Sequence, residues 1–355
     1  MLDAFGRKID YIRLSITDRC NQRCLYCMPE EGIAPITHDD VLRYEEVMLV
    51  ARAAIRAGIF NFKVTGGEPL VRKGCVNFLR GLKSMPGAEH VTLTTNGVLL
   101  EPVLNDLYEM KIDGINISLD SLDSSTYIKI TGRDNLPVVL SALDKALSLG
   151  LKIKVNCVPM RGINDNEIEK MAKLAESMPV DVRFIEFMTE YDDMRITGTE
   201  IMKRLLEVYP DLVQDSRRRG LGPARYFKSA RMRGSIGIID AVENCFCEYC
   251  NRVRLTSDGF LKLCLFHDDG VDLRKLIRGG AGPLDGARGD RARDGGARGG
   301  SVRDGRSIGS KGVGSGASDS GTTDSELESA LLQAIYNKPK RHLHMGVKNM
   351  SQIGG

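Results

Sequence analysis

This chain has no long apolar run. The richest stretch, residues 47–59, is cut by Arg52 and Arg56, short of the roughly 18–20 apolar residues that a membrane-spanning helix needs. Nor does one sign of charge dominate. Lys and Arg number 50 against 47 Asp and Glu, a net charge of +3, so nucleic acid is not expected as the main partner, although a local basic site remains open. Residues 1–10 lack both the apolar core of a secretory signal and the Arg/Ser-rich, acid-poor character of a transit peptide. The expectation is a cytoplasmic protein, or one of the mitochondrial matrix if a presequence has been left out. With 355 residues and 42% apolar content, the chain is long enough to bury one large core or two smaller ones.

What the chain does have is clustered cysteine. Of nine, Cys20, Cys24 and Cys27 stand near the start, Cys245, Cys247, Cys250 and Cys264 stand together later, and Cys75 and Cys157 are alone. Without a secretory signal, such clusters favour metal ligation over disulfides. Between residues 11 and 209 short β-rich runs alternate with amphipathic segments. Six runs are expected as strands: 11–17, 61–65, 90–94, 114–118, 153–158 and 182–185, with helices over 44–57 and 166–178. Six βα repeats make about three quarters of a TIM barrel, and an open doubly wound sheet shows the same alternation. In either case the polar strand ends, such as Thr65-Gly66-Gly67-Glu68-Pro69 and Ser118-Leu119-Asp120, mark the active face. The domains expected are 1–219, a smaller unit over 220–277, a Gly/Arg-rich disordered insertion over 278–323, and a C-terminal helix from 324 to 337 with a tail to 355. The interspersed Asp residues and missing aromatics of the insertion read as an inert loop rather than an RNA-binding segment.

Cys20-Asn21-Gln22-Arg23-Cys24-Leu25-Tyr26-Cys27 spaces three thiols as C-x3-C-x2-C after a strand. Three thiolates on a [4Fe–4S] cluster leave one iron open to an outside ligand, whereas a structural zinc site closes with four. Cys247-Glu248-Tyr249-Cys250 with Cys264 forms a second trio, read either as a second open cluster or as a zinc ribbon completed by Cys245 or His267. Arg252 and Arg254 follow on one face of a strand, suited to a triphosphate or carboxylate through bidentate hydrogen bonds.

The cysteine loop and the Gly66-Gly67-Glu68-Pro69 motif resemble the radical S-adenosylmethionine (SAM) superfamily. That resemblance implies a partial (β/α)6 TIM barrel with a C-terminal auxiliary-cluster subdomain. With Phe5-Gly6-Arg7, the run from Arg13 to Cys20, Met28-Pro29-Glu30, Cys250-Asn251-Arg252-Val253-Arg254 and the terminal Ile353-Gly354-Gly355, the chain resembles the GTP 3′,8-cyclase family of molybdenum cofactor biosynthesis. The resemblance implies a lyase with two [4Fe–4S] clusters, on Cys20, Cys24 and Cys27 and on Cys247, Cys250 and Cys264. It implies a SAM-derived 5′-deoxyadenosyl radical that takes the ribose 3′-hydrogen of GTP, and a C3′–C8 bond leading to 3′,8-cyclo-7,8-dihydro-GTP. It further implies SAM contacts from Tyr26, Gly66, Gly67, Glu68, Ser118 and Met188, and GTP contacts from Arg13, Lys63, Thr94, Lys154, Arg252, Val253 and Arg254. Arg252, Arg254, Gly354 and Gly355 are implied in catalysis, the Gly-Gly tail reaching into the site, so that truncation after Ile353 is expected to abolish turnover. An external electron donor and a downstream cyclic pyranopterin-forming enzyme are implied as partners, and a homodimer is compatible with the resemblance.

The chain departs from the family at Lys63, where Arg is usual and where a point charge replaces a bidentate contact. The stretch 189–194 is also shorter than the family's, and the chain lacks Trp altogether. Two other readings stand beside the cyclase: a radical SAM peptide-modifying maturase with an auxiliary cluster, and a zinc-and-RNA-binding protein. The first calls for a longer C-terminal cysteine set, and the second leaves the N-terminal trio unexplained.

Overall fold

The computed structural model describes residues 1–27, 36–188, 192–217, 219–279 and 324–341. Met28, Pro29, Glu30, nearly all of the expected 278–323 insertion, and Gly354 and Gly355 lie outside the described residues.

β1 (Tyr11–Ser15), α1 (Tyr44–Arg56), β2 (Asn61–Thr65), α2 (Cys75–Lys83), β3 (His90–Thr95), α3 (Leu104–Glu109), β4 (Gly114–Ser118), α4 (Ser124–Thr131), α5 (Leu136–Ser148), β5 (Ile153–Cys157), α6 (Ile168–Ser177) and β6 (Asp181–Ile185) alternate as expected. There follow α7 (Gly198–Val208), β7 (Val213–Gln214), β8 (Arg225–Lys228), β9 (Ser235–Ile239), β10 (Arg252–Leu255), β11 (Phe260–Lys262), β12 (Gly270–Asp272), α8 (Leu273–Ile277) and α9 (Asp324–Tyr336). All twelve strands of the described residues belong to one sheet, ordered β12-β11-β10-β1-β2-β3-β4-β5-β6-β9-β8-β7. The strands from β10 through β1 to β6 and β9 run parallel.

The region over 220–277 therefore does not build a sheet of its own. β8 and β9 extend one edge and β10 to β12 the other, with β10 beside β1 in the register Arg13↔Arg254. This pairing joins residues about 240 positions apart, which local patterning does not reveal. Among the described residues no pairing between β10 and β9 closes the sheet, so the barrel is partial.

Alternation along each strand sends apolar side chains outward. Ile12, Leu14, Phe62, Val64, Val91, Leu93, Ile115, Ile117, Val155, Val182 and Phe184 are buried in the core that the helices cover. α1 offers it Val47, Val50, Ala51 and Ala54, one helical stripe. The opposite strand positions carry polar side chains, and these from seven neighbouring strands line a single cavity. Flat, seven strands spaced about 4.8 Å would spread over nearly 30 Å, so the sheet curls around that space. No helix among the described residues is long and apolar enough to cross a membrane.

Candidate active site

The cavity holds about 2020 Å3 of empty space, its open mouth included. At one end lie Cys20, Cys24 and Cys27, on the loop that leaves the carboxyl end of β1. The loop is moored by backbone bonds to the last turn of α4: Arg23 N donates to Thr131 O (2.8 Å) and Leu25 N to Ile130 O (3.0 Å), using carbonyls that a helix end leaves unpaired. The Gly-Gly turn after β2 lies directly against the same segment. Gly67 N donates to Thr17 O and Glu68 N to Arg19 O, both at 2.8 Å. A Cβ on Gly66 would stand 2.7 Å from Thr17 O, and one on Gly67 2.7 Å from Asp18 O. Glycine is thus needed here for close approach of two backbones.

Glu68 is fully buried and does not line the cavity. Its carboxylate accepts from Leu70 N (3.0 Å), Thr95 Oγ1 (2.9 Å) and Asn96 N (2.6 Å), while Asn96 Nδ2 donates to Asn21 Oδ1 (2.7 Å). Glu68 so links the β2 and β3 strand ends to the cysteine loop. Burial raises its carboxyl to about 7, against those three donors. Tyr26 donates to Asp120 Oδ2 at 2.6 Å, and Asp120 Oδ1 accepts from Val158 N at 2.7 Å. Ser118 and Met188 also line the cavity.

The floor is cationic. Arg254, Arg13 and Lys63 are side by side on β10, β1 and β2, with Arg252 two residues from Arg254 and Arg183 on β6. Like charges at facing strand positions are unfavourable, and burial compounds this for Arg13, Lys63 and Arg254. Burial lowers Arg13 to about 10, with Arg252 and Arg183 adding to the effect. Lys63 is lowered well below its ordinary value, by burial and then by Arg183, Arg13, Lys154 and Arg252. Arg254 is also lowered strongly, by burial and then by Arg13 and Arg252. Arg252 is stacked over Phe246, 5.0 Å from the ring centre. Five cations gathered on one wall make a site for a polyanion.

Thr94 lines the cavity, whereas Lys154, also expected at the nucleotide, does not. Lys154 Nζ donates to Arg219 O and to Tyr226 OH (2.8 Å) and lies 3.6 Å from Asp181. Val253 is wholly buried on the other face of β10, leaving only its backbone for a contact. Arg183 and Asn156, absent from the sequence expectation, do line the wall. Arg183 donates to Asn116 Oδ1. Arginine alternating with Val182 and Phe184 was the available signal, since a parallel strand between two apolar layers would be apolar throughout.

The second trio lies at the opposite end. Cys247 and Cys250 precede β10, which runs parallel to β1, and Cys264 follows the antiparallel β11; all three line the cavity. Of the zinc candidates, Cys245 lines a neighbouring cavity, and His267 turns Nδ1 toward Asp269 at 3.5 Å. No three His, Cys, Asp or Glu side chains among the described residues are close enough to share one ion. A [4Fe–4S] cluster asks for less convergence, since each thiolate binds a different iron, and three thiols facing a cavity suit it at both ends.

The radical SAM superfamily pattern matches residues 14–175, and the Molybdenum Cofactor Synthesis C pattern matches 180–286. A GTP 3′,8-cyclase of Geobacter sulfurreducens is 44% identical over 283 residues, 78% of this chain and 86% of its own length. One from Thermodesulfovibrio yellowstonii is 42% identical over 288 residues, 79% of this chain and 89% of its own. The chain belongs to the GTP 3′,8-cyclase family. As a radical SAM enzyme it uses SAM and an iron–sulfur cluster. Streptococcus suis SuiB bound to S-adenosylmethionine shares the fold, with TM-score 0.53 and 14% identity over 73% of this chain and 60% of that one. The cavity just described is lined by both cysteine trios of this family member.

Proposed function

We propose that the chain converts GTP to 3′,8-cyclo-7,8-dihydro-GTP, the first step of molybdenum cofactor biosynthesis, with two [4Fe–4S] clusters. Cys20, Cys24 and Cys27 would hold the first cluster, and Cys247, Cys250 and Cys264 the second. When bound, the first cluster and SAM supply a 5′-deoxyadenosyl radical. Tyr26, Gly66, Gly67, Ser118 and Met188 would bind and orient SAM at that end.

The observation that carries this reading is the row of five cationic side chains that lines the cavity holding the two cysteine trios. Arg13, Lys63, Arg183, Arg252 and Arg254 provide bidentate and point-charge donors to a triphosphate, and Thr94 adds a hydroxyl. β1 spans about 17 Å at 3.3 Å per residue, which separates the two ends enough to seat a nucleotide between them. Enclosure by the curled sheet excludes water and orients the ribose, as a reactive carbon radical requires. The reading also asks for an external electron donor, and for an enzyme that takes the cyclic nucleotide onward.

The test is anaerobic: reconstitute the clusters, add SAM and dithionite, and quantify 5′-deoxyadenosine with GTP, with ATP and with no nucleotide. Formation driven by GTP alone, with the cyclic product, is the expected result. Equal 5′-deoxyadenosine in all three would remove GTP as the substrate and leave only the radical SAM end of the site.

A further inference from the structure

Lys338 is 2% exposed and has no carboxylate partner among the described residues. Its ammonium donates to Leu263 O, the carbonyl just before Cys264, and it lines the cavity with Cys247, Cys250 and Cys264. The placement is built, not incidental. α9 is fastened to α1, where Arg56 meets Asp324 and Glu328 at 3.0 Å each. Beyond α9 the buried Arg7 guanidinium gathers the carbonyls of Pro339 (2.8 Å), Lys340 (3.0 Å) and Lys338 (3.3 Å) together with that of Cys247 (2.9 Å). Asp3 holds Arg7 Nε at 2.6 Å. One clasp therefore fixes both a member of the trio and the segment that carries the lysine.

We propose that Lys338 is the resident counter-cation of the Cys247, Cys250 and Cys264 site, a positioning residue that favours retention and one-electron reduction of the cluster bound there. The inference rests on the two-cluster reading above. Three thiolates give a [4Fe–4S] centre a net negative charge that grows on reduction. A fixed cation in a low-dielectric surrounding stabilises the more negative state. Lys338 offers such a cation from within the cavity, its ammonium held at the carbonyl that precedes Cys264.

The full chain with Cys20, Cys24 and Cys27 changed to Ser isolates the second site. Iron content of this parent, measured first, settles the cluster reading on its own; a parent without iron would sink that reading and the role of Lys338 with it. Lys338→Met and Lys338→Arg are then compared by anaerobic dithionite titration followed by electron paramagnetic resonance. The expected result is that Met disfavours one-electron reduction at least tenfold, about 59 mV, while Arg stays within about threefold of the parent because it keeps the charge. Folded Met protein that loses its iron where Arg protein retains it gives the same support. A Met variant with its cluster and an unchanged midpoint overturns the proposal while leaving the cluster in place. Equal shifts or equal iron loss in Met and Arg also overturn it, since shape rather than charge would then matter. Lys338→Gln replaces Met should Met protein not fold.

Discussion

Lys63 offers a test of the polyanion site that does not depend on turnover. It stands on β2 beside Arg13 on β1, and burial and then Arg183, Arg13, Lys154 and Arg252 lower its ammonium well below 10.5. In the unfolded chain the group titrates near that ordinary value, so between the two pKa values the unfolded state holds the extra proton. Folding stability of the nucleotide-free protein must therefore rise with pH across that window, by up to about 1.4 kcal/mol per pH unit from this one group. Lys63→Met removes the contribution. The variant is expected to be more stable than the parent at pH 7, with a flatter dependence toward pH 10. Nucleotide binding moves the opposite way. A triphosphate restores the proton to Lys63, so GTP affinity of the parent falls as pH rises. Losing one charge-assisted hydrogen bond worth about 1.5–3 kcal/mol should weaken GTP binding about ten- to hundredfold. Denaturant unfolding from pH 7 to 10, and anaerobic calorimetry with GTP in buffers of different ionisation enthalpy, read the two effects. A Met variant that is less stable at pH 7, with the parent's pH slope and the parent's GTP affinity, would refute the reasoning.

Other outcomes follow from the same geometry. Lys63→Arg restores a planar fork and should tighten GTP binding several-fold by calorimetry. Gly67→Ala sets a methyl group against Asp18 O and Arg19 O, and should cost about 1–3 kcal/mol in unfolding experiments, with reduced iron at the first trio. Tyr26→Phe leaves Asp120 Oδ2 without its 2.6 Å donor, and should cost about 1–3 kcal/mol and weaken SAM binding. Glu46, lowered to about 2 because its bonds with Arg278 and Arg43 outweigh burial, adds stability that is present above about 4.5 and lost as pH falls toward 2. Glu46→Gln should flatten that acid limb by up to about 3 kcal/mol, less whatever solvent screens on the half-exposed Arg278.

Most strand positions were legible because apolar alternation is local. 61–65 and 114–118 match the observed strands, and the other four differ at their ends by one or two residues. Both cysteine trios and the Gly-Gly turn were legible from spacing. The seat of β10 was not, since Arg252-Val253-Arg254-Leu255 says nothing about which strand it will join, and its partner β1 lies at the far end of the chain. Lys338 was hidden for a different reason. A lysine after a helix and before a proline reads as solvent-exposed, and only the clasp by Arg7, itself some 330 residues away, turns it inward. Glu68 shows the converse: its motif was plain, but the sequence does not tell a cavity contact from a carboxylate already satisfied by Leu70, Thr95 and Asn96.

The two cysteine ends are held apart by β1 and β10 themselves, with no hinge between them. The sheet is therefore a ruler as well as a wall. Its length is set by the rise of an extended backbone, which neither loop motion nor helix packing can shorten, so reach from one end to the other selects the molecule that fits. The ruler also has a parity. One residue inserted within β1 would turn Arg13 out into the helix layer and bring Ile12 or Leu14 to the cavity, whereas an added residue in a connecting loop shifts nothing that the strands measure. Length variation in this chain is thus forbidden within the strands and free only in loops that carry neither a cysteine trio nor the Gly-Gly turn.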